Sequence, residues 1–338
     1  MQYELAPMEG ITGYLYRNAY VKYFGGMDRY YTPFISSTGL NHKELNDVLP
    51  EHNAAFLLGK EVEEKVGQGK ETHPRLVPQI LTNKTEDFLI IADRLRQMGY
   101  SHVNLNLGCP SGTVASRGRG AGFLGYPRQL DAFLEEIYEK CPLAISIKTR
   151  IGVADMENWE ELLEIYEKYP VEELIIHPRV QQDYYKHPIR WEGMESVLAR
   201  WERTGSDIPI CYNGEIHSPA EYQAFRQRFP QIQRVMLGRG VLKNPFLAER
   251  LGRWEQRQQD PEDTEQRRRM LWDFHRELLS GYREIMSGDQ NTLFKMKELW
   301  TYFGESFPGK EKALKKIRKA GNMAQYEAAV REAFDCKT

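Results

Sequence analysis

The sequence predicts an α/β fold, a (β/α)8 (TIM) barrel followed by a small C-terminal all-helical bundle. Three observations carry that reading. Strand-like stretches recur about eight times over roughly 250 residues, most followed by a helical pattern, which matches the usual size of this barrel. Polar residues gather at the C-terminal ends of those strands, while the strand interiors are apolar. After Leu251 only helical patterns occur. Strand–helix alternation alone leaves a doubly wound parallel sheet as the alternative.

Tyr3 to Met8 reads as the first strand, ending at Pro7, and Tyr14 to Phe24 as a helix. Arg29 to Phe34 is the second strand, and Asn41 to Leu49 a short helix. Leu57 to Thr72 is polar and carries no clear period. Leu76 to Leu81 is a third strand, and Lys84 to Met98 an amphipathic helix with Phe88, Ile91, Leu95 and Met98 on one face. Val103 to Leu107 alternates apolar residues with Asn104 and Asn106, the period of a strand. A helix from Gln129 to Lys140 follows. Leu143 to Thr149 and Leu174 to His177 are further strands, separated by a helix through Trp159, Leu162, Leu163 and Tyr166. Ile208 to Tyr212 and Arg234 to Leu237 complete the set. The barrel is assigned to residues 1–252 and a helical domain to 253–338, with helices at Met270–Met286, Leu293–Phe303, Lys310–Lys319 and Ala324–Phe334.

The chain has 338 residues and a net charge of -2. No apolar run approaches the roughly 18 residues of a membrane span, and the N-terminus lacks the pattern of an export signal. Cys109, Cys141, Cys211 and Cys336 form no CxxC pair, so neither a zinc site nor a disulfide framework is expected, and a reducing cytoplasm is. Thr264 to Thr338 holds 15 Lys and Arg against 11 Asp and Glu, whereas the preceding residues are net acidic. An acidic body with a basic tail points to a polyanionic partner; no obligatory protein partner is expected.

One cysteine stands apart. Cys109 lies between Gly108 and Pro110, which end the central strand. The Gly-rich stretch from Ser111 to Gly125 then brings Arg117 and Arg119, and reads as a mobile loop able to close over a substrate. Alone, Cys109 reads better as a buried thiol. The other strand ends change the balance: Pro7-Met8-Glu9, Gln79, Asn106, Lys148 with Arg150, His177 with Arg179, Asn213-Gly214-Glu215 and Gly238-Arg239. In a barrel these ends converge on one mouth, where sites lie.

Asn213-Gly214 and Gly238-Arg239-Gly240 follow the last two strands, whose loops often bind phosphate in this fold. Lys148 then suits a flavin, whose reduced ring gathers negative charge near N1 and the C2 carbonyl. A phosphosugar enzyme with Lys148 as a Schiff-base lysine is a rival, but it leaves Cys109 and the basic tail without use.

Leu5-Ala6-Pro7-Met8-Glu9-Gly10, Asn106-Leu107-Gly108-Cys109-Pro110, Ser146-Ile147-Lys148-Thr149-Arg150-Ile151-Gly152, Ile176-His177-Pro178-Arg179, Asn213-Gly214-Glu215-Ile216 and Met236-Leu237-Gly238-Arg239-Gly240 resemble the ordered signatures of tRNA-dihydrouridine synthases. The resemblance implies an enzyme that uses FMN and NADPH to reduce tRNA uridines to dihydrouridine. It implies that Pro7, Met8 and Glu9 line the flavin, with Gln79 and Asn106 bonding its ring. Lys148 and His177 would flank flavin and uracil, and Asn213, Gly214, Glu215, Gly238 and Arg239 would hold the phosphate. Cys109 would protonate uracil C5. RNA contacts are expected from Arg117, Arg119, Arg150 and Arg179, and in the tail from Lys295, Lys297, Lys315, Lys316, Arg318 and Lys319. Thr113 stands where the family often carries a lysine, and Pro178 where it usually has glycine. The competing readings are an FMN enzyme of the dihydroorotate-dehydrogenase kind, which needs no basic tail, and an RNA-binding barrel without chemistry, which needs no Cys109.

Overall fold

The computed structural model describes residues 1–59, 75–259 and 264–335; most of the polar stretch after Leu57, and Cys336, lie outside them. Eight parallel strands close in sequence order into a barrel: β1 (Gln2–Leu5), β2 (Arg29–Ile35), β3 (Leu76–Ile80), β4 (His102–Leu107), β5 (Ala144–Arg150), β6 (Leu174–His177), β7 (Ile210–Tyr212) and β8 (Arg234–Leu237). The doubly wound alternative is excluded by the pairing of β1 with β8.

A helix follows each strand: α1 (Tyr14–Tyr23), α2 (His42–Val48), α3 (Thr85–Gln97), α4 (Pro127–Lys140), α5 (Trp159–Glu167), α6 (Trp191–Thr204), α7 (Pro219–Arg228) and α8 (Leu247–Glu255). Most turn an apolar stripe inward, as α4 does with Leu130, Phe133, Leu134 and Ile137, whereas α2 buries Glu44 and Asp47 beside Val48. Burying each such side chain stabilises the fold by about 1.5–3 kcal/mol. Asn41 starts α2 with a capping box: its side chain accepts from the Glu44 N–H while Glu44 reaches back to the Asn41 N–H.

Three of these helices escaped the sequence reading. The signal for α6 was present in Trp191, Met194, Val197 and Trp201, spaced for one face, but Gly193 within it reads as a breaker. There the glycine lets the helix pass close to Ile151, whose Cδ1 would lie 3.0 Å from an added Cβ. Helix α8 also crosses the expected boundary at residue 252 and packs on α7 through Trp254 and Tyr222.

Inside the barrel, Ala6, Tyr31, Val77, Ile175, Cys211 and Met236 form a small apolar plug. Toward the N-terminal end of the strands lies a buried polar cluster. Glu173 accepts from Arg29 at 3.1 Å, from Arg234 at 2.9 Å and from the Tyr31 hydroxyl at 2.9 Å. Glu4 lies 3.4 Å from Arg29 and accepts from the Cys211 thiol at 3.5 Å. Burial first, and then Glu173, push the Glu4 carboxyl up to about 8, against the pull of Arg29; this cluster fills the N-terminal end of the barrel, opposite the strand ends that form the mouth.

Among the described residues the tail forms four α-helices, α9 (Thr264–Ile285), α10 (Asp289–Phe303), α11 (Glu311–Lys319) and α12 (Met323–Ala333), with a 3-10 turn at Gly304–Ser306. Helix α9 docks on α1 by setting Phe274 edge-on against Tyr16 and Phe24. Within the bundle, the Tyr326 hydroxyl lies 2.7 Å from His275 Nε2 and accepts from Trp300 Nε1 at 2.8 Å. No described helix is long and apolar enough to cross a membrane.

Candidate active site

At the C-terminal ends of the strands, Ala6, Pro7, Met8, Gly108, Lys148, His177, Asn213, Gly214, Gly238 and Arg239 line an open hollow of ≈ 70 Å³. They come from the ends of six different strands, because in a parallel barrel alternate residues point inward and the last inward residue of each strand meets the mouth. Tyr185 and His217 line it as well. Neither was expected. The aromatic pair Tyr184-Tyr185, in the loop that follows His177 and Arg179, was the signal available for the first.

The mouth is strongly cationic. Burial first, and then the charges of Arg150, Lys148, Arg179 and Arg239, hold the His177 imidazole well below its ordinary value. Arg179 stands 3.1 Å from His177 Nε2. As that guanidinium can only donate, Nε2 accepts and the ring is neutral. Burial, with Arg150 adding to it, pulls the Lys148 ammonium down to about 8. Tyr185 stacks on His177 with ring centroids 5.9 Å apart, and Arg239 lies over its face at 4.8 Å.

Not every expected residue sits in this hollow. Glu9 is exposed and paired with Lys43. Gln79 and Asn106 are buried among their own partners: Asn106 Nδ2 donates to Gln79 Oε1 at 2.7 Å, and Gln79 Nε2 donates to Asn104 Oδ1 at 2.7 Å. Glu215 does not turn a free carboxylate toward the phosphate corner. His217, Arg239 and Arg179 bind it and hold it down to about 2, so it orients two guanidiniums.

Arg150 and Arg179, expected at the RNA, are buried in this structure. Arg150 donates to the carbonyls of Gly108 at 3.0 Å, Val180 at 2.8 Å and Tyr184 at 2.9 Å. It therefore ties together the loops after β4 and β6. Arg179 donates to the His187 carbonyl at 2.6 Å as well as to Glu215. Charge in a sequence does not reveal whether a guanidinium will meet phosphate or backbone carbonyls.

Cys109 sits on a turn held by Asn106, whose Oδ1 accepts from the Gly108 N–H at 3.0 Å and the Cys109 N–H at 2.9 Å. The stretch beyond it is not the open, mobile loop that its glycines suggested. A helical turn, Gly112–Ala115, is followed by a 3-10 helix, Gly120–Gly125, folded against it. Gly120 has φ +55° and a Cβ there would lie 3.0 Å from the Cys109 Cβ; at Gly122 it would lie 2.3 Å from the Ala115 carbonyl oxygen. The glycines permit close packing. Gly122→Ala should therefore destabilise the protein by about 1–3 kcal/mol in urea denaturation, and an unchanged midpoint would contradict this packing. Arg117 is exposed on this knot, Arg119 half-buried and Thr113 exposed.

The tail cations divide. Lys312, Lys315, Lys316 and Lys319 line one groove of ≈ 670 Å³ between α11 and α12 over a floor of Ala320, Ala328 and Ala329, with Glu332 in the same lining and paired with Lys316 at 2.6 Å. Arg318 lines a separate hollow beside Trp300. Lys297 instead donates to the Ala320 carbonyl at 3.0 Å, closing the C-terminus of α11. Lys295 pairs with Glu298 at 2.9 Å and lies beside Gly10.

The Dihydrouridine synthase (Dus) family model matches residues 4–335. The chain belongs to this family. It is 27% identical over 246 residues to a probable tRNA-dihydrouridine synthase of Staphylococcus aureus, covering 73% of this chain and 70% of that one. The similarity to probable tRNA-dihydrouridine synthase 2 of Bacillus subtilis is 26%, with the same coverage. Among solved structures, morphinone reductase matches 78% of this chain and 88% of its own, at 13% identity and a TM-score of 0.47.

Proposed function

We propose that this dihydrouridine synthase family member reduces uridines of tRNA to 5,6-dihydrouridine, with FMN held in the mouth hollow and NADPH as reductant. The observation that carries the reading is a cationic, open hollow lined by Gly108, the residue next to Cys109, whose backbone N–H is held by Asn106. Gly238 lines the hollow without a side chain, and a Cβ there would already be in contact with the Ala6 Cβ at 3.4 Å and Met8 Sδ at 3.7 Å. The donor set fits FMN. Lys148, neutral His177 and Arg239 present donors and positive charge toward an anionic, acceptor-rich group. Asn213 donates to the Met236 carbonyl at 2.8 Å, which ties the loop after β7 to strand β8, beside the Gly238-Arg239 end where a phosphate would sit.

Bound FMN would supply hydride to uracil C6. Lys148 would place positive charge against the ring, Arg239 would meet the phosphate, and Cys109 would give its proton to C5. In the tail, the groove of Lys312, Lys315, Lys316 and Lys319 would take the RNA backbone. That groove disfavours a small-molecule FMN enzyme of the dihydroorotate-dehydrogenase kind, which has no polyanion to hold.

Purified protein is expected to be yellow, to release FMN and not FAD on denaturation, and to convert uridine to dihydrouridine in an unmodified tRNA transcript supplied with NADPH. Mass spectrometry of the digested RNA reads the product. Recovery of FAD, or an FMN-loaded protein that oxidises NADPH but leaves the transcript unchanged, contradicts the proposal. Replacing Lys315, Lys316 and Lys319 together by glutamine should weaken tRNA binding and flatten its salt dependence by about one unit of log–log slope per lost phosphate contact. Filter binding across a salt series checks this, with flavin content unchanged as control; an unaltered slope would remove the groove from the RNA interface.

A further inference from the structure

The turn carrying Cys109 is tied down at each of its carbonyls. The Gly108 carbonyl accepts from Arg150 Nε at 3.0 Å, the Cys109 carbonyl from the Ala121 N–H at 3.1 Å, and the Pro110 carbonyl from Gln181 Nε2 at 2.9 Å. With Asn106 holding the two N–H groups and proline fixing its own φ, the thiol keeps little freedom beyond its own side-chain torsion. These ties differ in what else they do. Arg150 also braces Val180 and Tyr184, Asn106 also meets Gln79, and Ala121 acts through backbone. Gln181 comes from the loop after β6, is buried with 7% exposure, and has its own N–H anchored on the Gly152 carbonyl at 2.9 Å. Its side chain crosses from the β6 loop to the Cys109-Pro110 turn, 71 residues away in sequence.

We infer that Gln181 is a positioning residue for proton delivery by Cys109: its amide N–H group fixes the Pro110 carbonyl and so sets where the thiol stands. The inference rests on the reading of Cys109 as the proton donor. It assigns no contact between Gln181 and substrate. Misplacing a reacting group by about 1 Å can cost about 100-fold in rate, so a side chain that only aims the acid should change turnover without changing binding.

The test uses the FMN-loaded, full-length protein and unmodified tRNA transcript. Gln181→Met keeps the length and removes the donor; it should lower kcat for dihydrouridine formation about 10- to 100-fold, with KM for tRNA and FMN content within two-fold of the parent. Iodoacetamide should alkylate Cys109 several-fold faster in Gln181→Met, as the freed turn exposes the thiol. Gln181→Glu can donate to the Pro110 carbonyl only when protonated, so its kcat relative to Gln181→Met should rise as the pH is lowered, a trend that loss of packing does not produce. In a Cys109→Ala background, Gln181→Met should have no further effect on rate. A parental kcat in Gln181→Met alongside an inactive Cys109→Ala overturns the inference and leaves the Cys109 reading standing. An active Cys109→Ala overturns that reading, and the inference with it. Equal pH trends in the Glu and Met variants, or an additive loss in the double variant, assign Gln181 to structure alone and also overturn it.

Discussion

Cys109→Ala is expected to retain FMN, to retain NADPH oxidation and to bind tRNA, yet to form dihydrouridine at least about 100-fold more slowly, the low end of what a general acid supplies. Hydride arriving at C6 leaves negative charge on C5 and the C4 carbonyl of the uracil, and C5 must then be protonated. Burial is the largest influence on this thiol and pushes it above its ordinary value; hydrogen bonding from the Ser111 backbone and the charges of Arg150 and Lys148 pull the other way without cancelling it. The group is therefore protonated at neutral pH, as an acid must be. The rate of uridine reduction should accordingly fall as pH rises through and beyond the usual thiol range, since only the protonated form can donate. Single-turnover mixing of reduced protein with unmodified tRNA measures the step directly. Parental product formation by Cys109→Ala would mean that another group is the acid.

Lys148→Met should weaken FMN binding about 10- to 100-fold, the worth of one hydrogen bond from a charged donor. It should also remove a pH dependence. In the cofactor-free protein the Lys148 ammonium titrates near 8 because burial and Arg150 oppose its charge. An acceptor-rich ring against it favours the charged form, so FMN binding should take up protons around that pH and weaken above it. Folding stability moves in the opposite sense. Between about pH 8 and the ordinary lysine value of about 10.4, the folded state binds fewer protons than the unfolded chain. Stability of the cofactor-free protein should gain from this group as pH rises across that interval. Lys148→Met should lack both trends in fluorescence titration of FMN and in urea denaturation. FMN affinity that declines equally above pH 8 in parent and variant would assign the effect to another group.

Much of the barrel was legible because strands and helices leave different periods. β4 alternates Val103, Leu105 and Leu107 with asparagines, and α3 sets Phe88, Ile91, Ala92 and Leu95 on one buried face. The convergence of Lys148, His177, Asn213 and Arg239 followed from topology, since parallel strands end at one mouth. What the sequence withheld was the partner of each polar group. Arg150, Arg179 and Lys297 carry the same formal charge as Lys315, but Arg150 and Lys297 are directed at backbone carbonyls, and Arg179 at Glu215, His177 and the His187 carbonyl. Gln181 was silent for the same reason: nothing local marks a glutamine whose acceptor lies on another strand end. The glycines after Cys109 signalled flexibility by composition, whereas Gly120 and Gly122 are there because two turns pack with no room for a Cβ.

The seat of the tail on the barrel has a consequence for how such a protein can be taken apart. Phe274 of α9 covers Tyr16 of α1 and Phe24 just beyond its end, and Glu277 meets Lys22 and Tyr23 on the same helix. The residues just before α1 are those of the Met8 loop, whose N–H groups at Ile11 and Thr12 are turned back onto the Met8 carbonyl. A barrel cut free of its tail would thus lose more than a basic surface. It would leave the aromatic face of α1 wet and loosen the ground on which one wall of the mouth stands. Exchanging tails between relatives would have to carry the α1 face along with the graft, because the seat of the tail and the loop that lines the mouth meet at that one helix.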